Sequence, residues 1–331
     1  MRRGIIAGIS LAKRLARLTI VAAALFAIHA GAGAVANVTA TDPFTLMSIA
    51  PGVYAAIDGP TGRSGSNAGF VIGDDGVLVI DSFFDPEATK ALIADIRSLT
   101  PKPIRYVVNT HYHADHVGGD AVLRAAGAII IAHRNVHGWV RTENLHLFGA
   151  HPSPRIEAMI KVLALPDVTT DQELTIWLGK RKILIQPVLG HTGGDLIVTV
   201  PDAKTVFCGD ILWRHVSPNI IDGDVASWIS TLAKMQHAVN ASDAFFVPGH
   251  GGVATVKDVS DFQRYLGDLS TLVGRERDRG LSGKALVDAA LPELTKQHGD
   301  WDAFAYFAPL ELGYMDDELA GRKRRPQPVA D

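Results

Sequence analysis

Thr110-His111-Tyr112-His113-Ala114-Asp115-His116-Val117-Gly118-Gly119 places three histidines and one aspartate within six residues, the densest stretch of chemistry in the 331-residue chain. Along an extended loop alternate residues share a side, so His111, His113 and Asp115 can converge while His116 points elsewhere, as a ligand to a second ion would. Packing four such polar groups at the end of a strand has no stability rationale. Imidazole nitrogen and carboxylate oxygen, with no thiolate, are the donors that suit zinc, and a catalytic zinc keeps one position open for water. The apolar run Ile104 to Val108 reads as the buried strand that delivers this loop.

Three later segments offer the remaining donors: Gly190-His191-Thr192-Gly193-Gly194-Asp195, Cys208-Gly209-Asp210 and Pro248-Gly249-His250-Gly251. Each sets a potential ligand beside glycine, after a run rich in β-branched or aromatic residues: Ile183 to Leu189, Thr205 to Phe207 and Phe245 to Val247. A strand ending in a tight turn reads this way, its side chain facing a shared cleft and its glycine permitting close backbone approach.

In this order the four segments resemble the metallo-β-lactamase superfamily of binuclear metal hydrolases, from roughly Gly52 to Val253. The resemblance implies an α/β fold, an αββα sandwich of two mixed β-sheets flanked by helices. It implies two zinc ions per chain: His111, His113 and His191 on the first, Asp115, His116 and His250 on the second, and Asp210 bridging them. Asp81, closing the run Val77 to Ile80, matches a position that supports a ligand from behind; capping the helix that starts at Pro86 is its alternative role. Two such ions, about 3.5–4 Å apart, share a water whose pKa falls from 15.7 towards roughly 7, and the hydroxide attacks a carbonyl. Asp115 is placed both to bind and to orient it, as the catalytic residue.

The remainder of the chain sets the context. Arg2, Arg3, Lys13, Arg14 and Arg17 precede an apolar run from Leu18 to Ala30, and Ala34-Val35-Ala36 fits a cleavage site. Residues 1–36 therefore read as a secretory signal peptide, with a periplasmic or secreted product and no stable membrane insertion after its removal. Of 32 basic residues five lie there, which leaves 27 against 35 acidic ones. Such a balance argues against nucleic acid and for a small-molecule substrate. Cys208 is the only cysteine, so no intramolecular disulfide can form. Residues 37–331 read as one domain: a core of about 52–253 after an irregular leader, C-terminal helices over 256–312, and a tail 313–331 whose basic cluster Arg322 to Arg325 reads as a solvated terminus.

Substrate is the less legible part. Trp213, Arg214 and His215 follow Asp210 where family members carry a group that grips a substrate carboxylate, which Arg214 could do bidentately. The Gly59 to Ser66 stretch, rich in turn residues, resembles a mobile flap over the cleft. His146 and His151 read as exposed. Together with export, this favours a β-lactamase-like hydrolase of a lactam amide, with a lactonase or glyoxalase-type thioesterase as the alternative, suggested by aspartate at 210. An iron-dependent redox relative would carry glutamate where this chain has His113.

Overall fold

Val77-Leu78-Val79-Ile80 is buried on both sides: Val77 and Val79 face one apolar layer, Leu78 and Ile80 another. Strands with two apolar faces belong in the middle of a layered fold. The computed structural model describes residues 42–59, 61–149, 151–238 and 243–327 and builds two sheets from such strands. The signal-peptide expectation falls on 1–36, outside the described residues.

The first sheet runs in sequence order: β1 (Phe44–Ala50), β2 (Val53–Asp58), β3 (Ala68–Ile72), β4 (Val77–Ile80), β5 (Ile104–Val108), β6 (Ile129–His133) and β7 (Val168–Thr170). Its first four strands pair antiparallel and the last four parallel, so the sheet is mixed. The second holds β8 (Leu174–Leu178), β9 (Arg181–Val188), β10 (Asp195–Val200), β11 (Thr205–Trp213) and β12 (Phe245–His250), with only β11 and β12 parallel.

Val53, Val71, Ile80 and Val108 of the first sheet meet Ile185, Leu196, Phe207 and Val247 of the second in one buried layer. Helix α1 (Pro86–Leu99) covers the outer face of the first sheet with Leu92, Ile93 and Ile96. Pro86 opens it, and the Asp85 carboxylate caps it by accepting from Glu87 N. Two short helices, α2 (Ala114–Val117) and α3 (Asp120–Ala125), follow β5, and α4 (Arg134–Trp139), α5 (Glu143–Leu147) and α6 (Pro154–Lys161) fill the connection from β6 to β7. Helices α7 (Val225–Ala238) and α8 (Val256–Asp278) pack on β11 of the second sheet, with Trp228, Phe262 and Leu266 buried, and α9 (Gly283–His298) and α10 (Phe304–Leu319) pack on α8 and on each other. The architecture is the α/β sandwich expected, two mixed sheets flanked by helices.

Several details differ from the expectation. Phe44–Ala50 is an edge strand of the first sheet, not an irregular leader. Strands β7 and β8 were absent from the sequence reading. Helix α10 continues through Leu319, so the tail is shorter than 313–331. The basic cluster is a laced strap: Arg322 pairs with Asp317, Lys323 with Glu318, Arg324 with Glu143 and Arg325 with Asp224. Lys323 Nζ also donates to Gly223 O at 2.7 Å, and Gln327 O accepts from Trp139 Nε1 at 2.8 Å. Among the described residues no helix is long and apolar enough to cross a membrane.

Candidate metal centre

The ligand loop begins where β5 ends and is held from below by Asp81. This residue sits at φ 57°, just past β4. Its buried carboxylate accepts from Thr110 N at 2.7 Å and Thr110 Oγ1 at 2.8 Å, and lies 2.8 Å from His116 Nδ1. Donation from Nδ1 leaves the Nε2 lone pair of His116 facing inward. Thr110 Oγ1 stands 3.1 Å from His111 Nδ1 and turns that ring the same way. Asn144 of α5 clamps the loop: its Oδ1 accepts from Ala114 N, and its Nδ2 donates to Tyr112 O and Val140 O.

The second sheet supplies the opposite wall. His191, Asp210 and His250 stand just beyond β9, within β11 and at the last position of β12. Gly249 is required there, since a Cβ would come 1.8 Å from Asp210 Oδ1; Gly209, at φ +50°, would drive one 2.3 Å from Thr110 Oγ1.

Two groups of donors result, one of His111, His113, His191 and Asp210, the other of Asp115, His116 and His250. Within each, the donor atoms lie within 4.8 Å of one another. His113 Nδ1 faces His191 Nε2 at 3.0 Å, and Asp210 Oδ2 is 3.2 Å from His191 Nε2 and 3.8 Å from His111 Nε2. Asp210 Oδ1 is 3.1 Å from His116 Nε2 and 3.4 Å from His250 Nε2; Asp115 Oδ2 is 3.5 and 3.4 Å from the same two atoms. Asp210 thus presents one oxygen to each group.

The donor set fits metal. His111 Nε2, His116 Nε2, His250 Nε2 and Asp210 Oδ1 are buried without a hydrogen-bond partner, an expensive arrangement unless something else satisfies them. Burial holds the His111 imidazole well below its usual pKa range and the His191 imidazole at about 3, the neutral form in which imidazole coordinates.

Asp222 was not singled out by the sequence. Its carboxylate accepts from Tyr112 Oη and lies 3.7 Å from His113 Nε2, a longer approach than the 2.8 Å between Asp81 and His116 Nδ1. Asn67 was missed too: its Nδ2 donates to Pro248 O at 2.9 Å and Gly251 O at 2.7 Å, holding the loop that carries His250. At the end of the Gly59 to Ser66 stretch Ser64 and Ser66 are buried, and Ser66 Oγ donates to Asp115 O at 2.6 Å.

Of the three residues expected at the substrate, the structure brings only Trp213 to the cleft, stacked on His250 with ring centroids 4.0 Å apart. Arg214 turns away and donates to Asp258 Oδ1 at 3.0 Å, and the exposed His215 leans on Trp301. The cause is local: Gly251 and Thr255 bring the start of α8 and its Asp258 behind β11, where a cation finds a carboxylate. Cys208 is buried, its thiol pushed well above the ordinary range by burial, and His146 and His151 are exposed.

A cavity of about 370 Å³ opens on His113, Asp115, Asp210 and His250, and Phe84, Phe148, Trp213 and Phe307 contribute aromatic walls.

A profile described as the metallo-beta-lactamase superfamily matches residues 61–250. The metallo-beta-lactamase type 2 of Bacillus sp. (strain 170) is 26% identical over 183 residues, 54% of this chain and 63% of that protein. A hydroxyacylglutathione hydrolase of Brucella anthropi is 27% identical over 131 residues, 39% of this chain and 42% of that one. The chain therefore spans less than two thirds of the length of either relative. Among solved structures, a metallo-beta-lactamase from Pontibacter korlensis aligns with a TM-score of 0.56 at 22% identity, over 68% of this chain and 99% of that one, a likeness of fold.

Proposed function

The chain belongs to the metallo-beta-lactamase superfamily, and from that premise we propose that it is a hydrolase that binds two zinc ions and cleaves an acyl bond of a small molecule. The observation that carries this proposal is the bridging posture of Asp210, one oxygen towards His191 and the other towards His116 and His250. His111, His113 and His191 would hold one ion, Asp115, His116 and His250 the other. Bound there, the metals supply Lewis acidity and lower the pKa of a water towards roughly 7.

The side chains do the remaining work. Asp81 and Thr110 fix the ring orientations of His116 and His111 through their Nδ1 atoms. Asp115 Oδ2 faces the Nε2 atoms of His116 and His250 at 3.5 and 3.4 Å. That side chain is 30% exposed where it lines the cavity, which suits it to hold and orient the attacking water.

For the bond cleaved, likeness to the Bacillus protein supports a lactam amide. A lactone or thioester is the second reading, supported by likeness to the Brucella hydrolase and by the engagement of Arg214 with Asp258, which removes the expected grip on a lactam's carboxylate. A panel of nitrocefin, a penicillin, a carbapenem, lactones and thioesters on zinc-loaded protein tests the proposal. Asp115→Asn should depress turnover of the true substrate by roughly 10²–10⁴-fold. Full rate in that variant, or undiminished activity after exhaustive chelation, refutes it.

A further inference from the structure

The walls of the cleft come from five separate places in the chain and agree in character. Phe84 follows β4, Leu147 and Phe148 close α5, Trp213 ends β11, Val216 lies in the next loop and Phe307 belongs to α10. Phe84 and Phe148 leave 37% and 38% of their surface in water at the mouth. Large apolar side chains held out to solvent around a cavity mark a surface made to be covered. Charge is handled in the opposite way. Among the residues lining the cavity there is no lysine or arginine, and the nearby Arg214 is committed to Asp258. Asn144 and Asn219 also line it; the Asn144 amide is spent on Ala114, Tyr112 and Val140, and Asn219 Oδ1 accepts from Ile221 N.

We infer that this cleft selects uncharged acyl substrates, esters or lactones with an alkyl or aryl group beside the scissile carbonyl, and discriminates against those carrying a carboxylate there. The inference rests on the hydrolase proposal and narrows its substrate. An apolar group displaces water from Phe84, Phe148 and Phe307, whereas a carboxylate laid against those walls, away from the metal donors, loses hydration and meets no side-chain cation. In the reaction water adds to the carbonyl carbon and the bond from carbon to the leaving oxygen breaks. Oxygen and one hydrogen of the water end on the acid, the other hydrogen on the alcohol.

Two esters of matched shape separate the alternatives: 4-nitrophenyl pentanoate and mono-4-nitrophenyl glutarate, the second replacing a terminal methyl by carboxylate. On zinc-loaded protein, with Asp115→Asn as the background, kcat/KM for the pentanoate should exceed that for the glutarate by ~10-fold or more, the factor a single hydrophobic contact can carry. Most of the difference should lie in KM. Phe307→Lys, which sets an ammonium in the wall, should narrow or invert the ratio; both esters are read on one preparation, so partial misfolding cancels. Equal or reversed preference in the wild type, with turnover still dependent on Asp115, overturns the inference and leaves the hydrolase proposal standing. A ratio unchanged by Phe307→Lys removes this wall as its origin and overturns the inference as well. Turnover of neither ester, nor of nitrocefin or a thioester, overturns the hydrolase proposal and the inference with it.

Discussion

Asp222 touches two rings of the ligand loop, accepting from Tyr112 Oη and standing 3.7 Å from His113 Nε2. Burial, reinforced by this carboxylate, holds the Tyr112 hydroxyl well above its ordinary pKa, so the phenol remains a donor. Asp222→Asn keeps the shape and removes the charge that steadies His113. Zinc affinity should fall roughly 10–100-fold, as when other supporting partners of metal-bound histidines are lost. Competition against a chromophoric chelator reads it directly, and an unchanged affinity would show that Asp222 serves Tyr112 alone. The residue lies 110 positions from Tyr112, and Gly223 beside it reads as an ordinary turn, so nothing local betrays the contact. His111 and His191 were legible for the opposite reason: each stands where an apolar run stops at a turn. Arg214 misled because adjacency to Asp210 says nothing about facing direction, which Asp258, 44 positions on, decides.

Helices α8 and α10 meet over a buried carboxyl. Glu311 accepts from Ser217 Oγ at 2.6 Å and from Tyr265 Oη, which ties both helices to the loop that carries Val216 to the cleft. Burial raises its pKa from 4.5 to about 7. A carboxyl whose pKa is raised on folding binds its proton more tightly in the native state. Its contribution is complete below pH 4.5 and fades as pH rises to about 7. Glu311→Gln, neutral throughout, should flatten that part of the pH–stability curve by at most about 3 kcal/mol. Melting temperatures of both proteins across this range supply the test; parallel curves would mean that Glu311 titrates normally. Among elements, Val77–Ile80 and Pro86–Leu99 were readable because an apolar run after the Gly73 to Gly76 turn and a proline at the helix start are local signals. Strand β1 was not, since only Phe44 of its seven residues is buried. The strap was misread because Glu143 and Asp224, which hold Arg324 and Arg325, are remote in sequence.

At the scale of the whole molecule, the first sheet carries His111, His113, Asp115 and His116 beyond β5, and the second carries His191, Asp210 and His250. Metal held between them, as proposed, would bind the native chain only, and a ligand at a hundred times its dissociation constant stabilises by about 2.7 kcal/mol. Chelation should therefore lower the melting temperature and speed hydrogen exchange in both sheets together. Loss of protection confined to the ligand loops would mean that the sheets are joined by their apolar layer alone. The order of strands within each sheet could not be read from periodicity, because pairing partners are chosen by packing across the whole layer. The sheets are also consecutive: β7 closes the first at Thr170 and β8 opens the second at Leu174. Bisecting the chain in that three-residue link would yield two fragments, each with half a coordination sphere, whose reassembly into a working enzyme should be switched on by zinc.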